Sequence, residues 1–194
     1  HTSNYLDVPA EWLGRVFLDE ANHLKEVNPA AYEHEYMGVA NGIGGQVFEN
    51  LDIRAITDEE ISQFDRIMHG LDFGWYPDPA HYSKVHYDAA RATLYIYGEV
   101  RRNKTSNEDM YKAILESGYT PDELLIADSA EPKSIGDFRS YGANCKGADK
   151  STVNGVGSVR TRMRWLQSRF KIVIDPVRAP YSAQEFVDYE YETN

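Results

Sequence analysis

Apolar positions along this chain change their spacing from segment to segment, and each spacing predicts a different element. Over residues 8–26 the apolar Trp12, Val16 and Leu24 recur among charges, with Pro9 near the start, which predicts a helix. Asn28-Pro29 breaks it, and "PAAYEHEYMG" predicts a second short helix stopped by Gly38. "NGIGG" at 41–45 reads as a flexible joint, so residues 1–45 form a helical lead-in. The spacing then shortens. Strands are predicted at 66–73, 82–88 and 92–101, the last two as a hairpin across "DAAR", with two-residue alternation in "TLYIYGEV". A helix is predicted over 107–117, with Ser106 and Asp109 as its capping residues, Met110, Ala113 and Ile114 as its buried stripe and Gly118 as its stop.

"ELLIAD" is a short apolar run ending in Asp128, the pattern of an interior parallel strand covered on both faces. Helices at 132–141 and 157–168, a strand at 171–175 and a helix at 180–187 complete the pattern, with an irregular stretch around Cys145. In the tail, "FVDYEYETN", Phe186, Asp188, Glu190 and Glu192 alternate with Val187, Tyr189 and Tyr191, which reads as an edge strand with an acidic outer face. Three antiparallel strands followed by α/β units is the order of a ribonuclease-H-like α/β fold: a mixed central sheet flanked by helices.

Within "RIMHGLDFGWYPDP" (66–79), a strand would place Met68, Gly70, Asp72 and Gly74 on one face and His69 on the other. Asp72 then has no side chain beside it on its own face, which leaves room for a metal ion with a phosphate attached. Taken alone, Asp72 reads equally well as the cap of the turn that follows. Asp128 closes the next apolar strand after the helix. Parallel neighbours at the sheet centre would bring the two acids together at their carboxyl ends, where open α/β sheets place ligands. Paired carboxylates repel unless a cation joins them, and oxygen donors suit Mg²⁺ or Mn²⁺. The competing reading makes Asp128 a helix N-cap or a partner of Lys133, a lysine that reads equally well as a contact to the scissile phosphate.

Composition alters this picture in one place. The 194 residues carry a net charge of −11, which argues against nucleic acid, but residues 145–178 hold 8 basic and 2 acidic residues, a local +6. Lys146 and Lys150 sit in a loop, "GANCKGADKST", that lacks the Gly-Lys-Ser/Thr triplet of a Walker A motif and reads as a surface loop whose two lysines suit contacts to a phosphate backbone. Arg160 and Arg164, one helical turn apart, offer a second phosphate-binding face, or a solvated one. The single Cys145 rules out an internal disulfide and fits a reducing compartment. There is no bilayer-length apolar run and no signal-peptide pattern. The first residue is His1, so a piece of a longer chain is expected. His81 and His86, at odd spacing on one strand, face opposite sides and form no two-His site. Asp78 in "PDP" reads as a turn former, with a place at the border of the metal site as the lesser alternative.

"HGLDFGWYPDPAHYSKVHYD", "LLIADSAEPKSIGDFRSYG" and "GSVRTRMRWLQSRFKIVIDPVRAPYSAQEFVDYEYE", in this order, resemble the C-terminal nuclease domain of the terminase large subunit of tailed bacteriophages and prophages. "YLDVPAEWLG" and "AYEHEYMGVANGIGGQVFENL" resemble the segment joining its ATPase motor to the nuclease. The resemblance implies 1–45 as linker and 46–194 as the ribonuclease-H-like nuclease domain. It implies metal-dependent endonuclease cleavage of concatemeric double-stranded viral DNA, with two Mg²⁺ or Mn²⁺ ions in a complete domain. Partners implied are DNA, the ATPase domain in the same longer chain, the small terminase subunit and the portal, in the cytoplasm of the bacterial host, with no membrane. It carries over Asp72 and Asp128 as metal ligands. The family's third ligand, an Asp on a C-terminal helix with a His three residues before it, has no counterpart here and is expected beyond Asn194. Glu131, Asp188, Glu190 and Glu192 are stand-ins. Alternatives are a non-catalytic docking module of the packaging motor, a junction-resolvase-like nuclease, and a transposase or integrase of the same fold. The absence of any Glu over 145–178 counts against the last of these.

Overall fold

In the computed structural model, residues 6, 8–27, 29–37, 47–149 and 158–189 are described. Strands β1 (Leu51–Ile53), β2 (Ile67–Asp72), β3 (Ala80–Asp88), β4 (Thr93–Arg102), β5 (Leu125–Ala127), β6 (Cys145–Gly147) and β7 (Lys171–Ile174) form one sheet in the order β1-β7-β4-β3-β2-β5-β6. β2, β3 and β4 are antiparallel neighbours, while β5 joins β2, β6 joins β5, and β7 joins β4 in parallel. The expected hairpin and parallel units are therefore present. The sheet also reaches further at both edges than the apolar pattern predicts. β1 pairs with β7 across most of the chain, and β6 forms where an irregular stretch was expected.

Helices α1 (Ala10–Leu13), α2 (Arg15–Val27) and α3 (Pro29–Met37) make up the lead-in. The single helix expected over 8–26 is split at Gly14, whose φ of 76° a helix cannot hold. Ala21, Leu24, Tyr32 and Tyr36 bury a small core of their own. The joint at 41–45 lies outside the described residues.

The main sheet is covered on both faces. α5 (Asn107–Glu116) and α6 (Pro132–Ser140) pack Met110, Ile114, Ile135 and Phe138 against Leu71, Tyr82, Leu125 and Cys145. α5 is capped as expected, with the Ser106 hydroxyl accepting from Asp109 N at 3.1 Å. A short helix, α4 (Asp58–Ile61), is closed by a reciprocal Thr57/Glu60 capping box. On the other face, α7 (Ser158–Gln167) and α8 (Pro180–Asp188) bury Met163, Leu166, Ala183 and Phe186 against Leu94, Ile96, Ile172 and Ile174. Residues 186–188 are thus the end of a helix and not an edge strand, because Phe186 is needed in this core. Glu190 and Glu192 lie outside the described residues.

The buried Asp175 ties β1 into the sheet. It accepts from Ile56 N at 2.9 Å, Val177 N at 2.8 Å and Arg178 N at 3.0 Å. Burial opposes its ionisation, but these three N–H groups prevail and hold its pKa below the ordinary carboxylate value. Among the described residues no helix is long and apolar enough to cross a membrane.

Candidate metal centre

β2 and β5 run parallel, with Gly70 opposite Ile126 and Leu71 opposite Ala127. One residue further on, Asp128 N donates to Leu71 O at 3.0 Å, so the strand pairing continues to the two acids. Asp72 and Asp128 therefore stand on adjacent strands, whose spacing is about 4.8 Å. They line one cleft of about 350 Å³, together with Gly70, His81, Ser83 and Arg162. Space above the sheet comes from Gly70, where an added Cβ would meet nothing within 4 Å. The other glycine beside Asp72 serves a different purpose. A Cβ at Gly74 would lie 2.5 Å from Pro79 O, so its absence lets the chain fold back on itself. That turn contains a cis Tyr76–Pro77 peptide and the exposed Asp78, which stands outside the cleft lining.

Asp128 is not a helix cap: its Oδ1 accepts from Ala130 N at 3.0 Å, a local turn, and α6 starts after Glu131. Glu131 accepts from Ser134 Oγ at 2.7 Å and, like the exposed Lys133, does not line the cleft. Ile126, expected to be covered on both faces, is 37% exposed and forms part of the cleft floor. Helices on that face cover the other half of the sheet. The two oxygen-donor side chains above an open floor fit a hard divalent cation. Among the described residues, no group of three His, Cys, Asp or Glu is placed to hold one.

Two cleft residues were not singled out for the site from the sequence. His81 is the cross-strand partner of Asp72. Its Nε2 lies 3.1 Å from Ser83 Oγ, 3.5 Å from Ser182 Oγ and 3.9 Å from Glu99 Oε2. Glu99 is buried and accepts from Tyr181 N at 2.7 Å and from Ser182 N at 2.9 Å, which fixes the start of α8 behind the histidine. Arg162 reaches the cleft from α7 and donates to Asp149 O. Arg164 turns away, its guanidinium 3.9 Å from Glu20 and over the Tyr36 ring. Lys146 is exposed on β6, while Lys150 and the Arg160 side chain lie outside the described residues.

His81 and His86 do occupy opposite faces, His86 stacking on Phe64 away from the cleft. On that face His69 is a core histidine. Its Nδ1 is 2.8 Å from Tyr82 Oη, and its Nε2 is 3.3 Å from Glu123 Oε2 but off the hydrogen-bonding direction. Burial lowers its pKa despite that carboxylate.

No family model matches the chain. It is 39% identical over 196 aligned residues to the terminase large subunit of Bacillus phage SPP1, covering 99% of this chain but only 45% of that subunit. The solved nuclease domain of the SPP1 large terminase, g2p, crystallised with bound Mn, superposes with a TM-score of 0.68 at 35% identity, covering 78% of this chain and 84% of that one. The chain belongs to the large-terminase nuclease-domain family. Its seven-stranded mixed sheet is the ribonuclease-H-like architecture of that family. The large terminase nuclease of the thermophilic phage G20c, solved with bound magnesium, shares the fold at 14% identity, with a TM-score of 0.52 over 77% of this chain and 83% of that one.

Proposed function

We propose that this chain is the metal-dependent endonuclease module of a DNA-packaging terminase and cuts double-stranded DNA. The observation that carries the proposal is the placement of Asp72 and Asp128 at the ends of adjacent parallel strands, joined by the Asp128 N–Leu71 O bond. Both carboxylates open onto one cleft and would hold Mg²⁺ or Mn²⁺. Bound there, such an ion supplies a Lewis acid and lowers the pKa of a coordinated water. Mg²⁺ is commonly held by one or two carboxylates plus substrate phosphates, so two protein acids and a DNA phosphate suffice to hold one ion. Arg162 faces the same cleft and would neutralise a phosphate beside the ion. His81, held from behind by Ser182 and Glu99, shapes the wall beside Asp72.

Residues 1–45 act in this reading as the linker from an ATPase domain in a longer chain, and 46–194 as the nuclease domain. The separate small core of α2 and α3 supports that division. The setting is the host cytoplasm, with the small terminase subunit and the portal as partners. A docking module without chemistry would have no need of two acids brought together over an open floor.

The test is Mn²⁺ titration by calorimetry together with plasmid nicking, on the wild type and on Asp72→Asn and Asp128→Asn. Each variant should keep the wild-type fold by circular dichroism, lose most of its ion affinity and stop nicking. Wild-type cleavage by either variant would overturn the assignment.

A further inference from the structure

The sheet edge that carries Asp72 also carries a set of cations and rings that the metal site does not use. In register, Asp72 faces His81 and His81 faces Arg101, so Arg101 lies two strand spacings, about 10 Å, from Asp72 on the same face. The Arg101 guanidinium lies over the Tyr181 ring, 4.5 Å from its centroid. Next along β4 comes Arg102, and beyond it Lys104, whose ammonium lies 4.5 Å from the Tyr76 ring centroid. Lys104 N donates to Trp75 O at 2.9 Å, binding this turn to the connection that follows Asp72.

The rings are open to solvent: Trp75 is 60% exposed, Tyr76 66% and Tyr181 49%. Among the described residues no carboxylate pairs with Arg101, Arg102 or Lys104, and the Nε of Arg101 is buried without an acceptor. Asp78, the acid in the same connection, is exposed and pairs with none of them. Lys104 also has a φ of 50°, a left-handed conformation that favours glycine or asparagine. A lysine held there, with its charge over a ring, is strain kept at one spot of the surface.

Unneutralised cations interleaved with exposed rings are the makings of a surface that stacks bases and tracks phosphates. A duplex offers phosphates but keeps its bases stacked on one another. We propose that this edge is a stacking platform for a single-stranded DNA segment. On the nuclease reading, on which the proposal rests, it would hold unpaired nucleotides next to the Asp72 cleft.

The test uses a short labelled oligothymidylate, in EDTA and at low salt so that no cleavage occurs. Its affinity is read by fluorescence polarisation. In a Trp12→Phe/Trp165→Phe background the emission reports Trp75 alone. Expected are quenching of Trp75, a roughly tenfold loss of affinity in Trp75→Ala and again in Tyr76→Ala, and retention in Trp75→Phe. Lys104→Gly, which suits the backbone, should weaken binding and flatten its salt dependence. Unchanged affinity in Trp75→Ala, or binding of blunt duplex in preference to the oligothymidylate without quenching, would overturn the platform. Asp72→Asn, which removes a negative charge beside the platform, should bind the oligothymidylate at least as tightly as the wild type while failing to nick plasmid. Failure of the wild type to nick plasmid with Mn²⁺ would refute the nuclease reading without touching the platform measurement.

Discussion

The two glycines beside Asp72 make opposite demands on an added methyl group, and this separates stability from chemistry. At Gly74 a Cβ would sit 2.5 Å from Pro79 O and 2.6 Å from Pro79 C, with Asp78 O as close. Ordinary contact begins at 3.4 Å and Asp78 O would stand at 2.4 Å, so the facing backbone must retreat by about 1 Å. These are backbone atoms of a closed turn and cannot swing aside as a side chain would. Overpacking of this kind costs about 2 kcal/mol, which lowers the melting temperature by about 4–8 °C in a domain of this size. At Gly70 nothing lies within 4 Å, and an alanine in a strand is favoured over glycine by about 0.5–1 kcal/mol. Gly70→Ala should therefore melt at or slightly above the wild-type temperature. Its methyl would nevertheless stand in the cleft beside Asp72 and reduce Mn²⁺-dependent nicking. Thermal melts followed by circular dichroism, paired with plasmid nicking, read both effects. If Gly74→Ala melts with the wild type, or Gly70→Ala falls as far as Gly74→Ala, the account of how the turn closes and the cleft opens is wrong.

Asp175→Asn should destabilise the fold by about 2 kcal/mol at neutral pH, since a buried charged acceptor of three N–H groups is lost. Because the folded pKa of Asp175 is depressed, its contribution is complete above the unfolded value of about 3.9 and is lost as the pH falls through the folded one. Denaturant melts should show the gap between wild type and variant shrinking only below about pH 4. A gap that stays constant down to pH 3 would contradict the hydrogen-bonded carboxylate. Arg162→Ala should weaken duplex binding and reduce the slope of affinity against salt by about 1. Arg164→Ala should leave both alone and instead loosen the packing of α2 and α3, as read by hydrogen exchange. The reverse outcome would mean that α7 presents the other arginine to DNA.

The placement of Asp72 and Asp128 at neighbouring strand ends was legible because each ends an apolar run, and strand ends in parallel neighbours meet whatever the details of packing. The hairpin of β3 and β4 was legible from its alternation, and α5 from its cap. His81 was visible only as a member of the wrong kind of pair. Its place beside Asp72 depends on the register across the turn at 73–79, where Gly74 lets the chain fold back on itself. Arg162 depends on the rotation of α7 against the sheet, which helical spacing alone does not specify. β1 and β6 are each three residues long, too short for any alternation to register; β1 is stabilised by β7 far along the chain, and β6 by β5 just before the preceding helix. The tail alternation misled because Phe186, Ala183 and Ala179 also share one face of a helix, and burial favoured that reading.

The pairing of β1 with β7 has a consequence in time. Leu51 lies opposite Ile172, and the N–H of Ile56 waits for the carboxylate of Asp175, in each case about 120 residues later. Synthesised at about 5–20 residues per second, a growing chain would leave β1 without its neighbour for roughly 6–24 s after it is made. The β2–β3–β4 meander can form in that interval from strands close in sequence, and β1 can join only when β7 has been laid beside β4. The segment that leads in from the helical extension is thus among the first parts of this domain to be made and among the last to be locked in place.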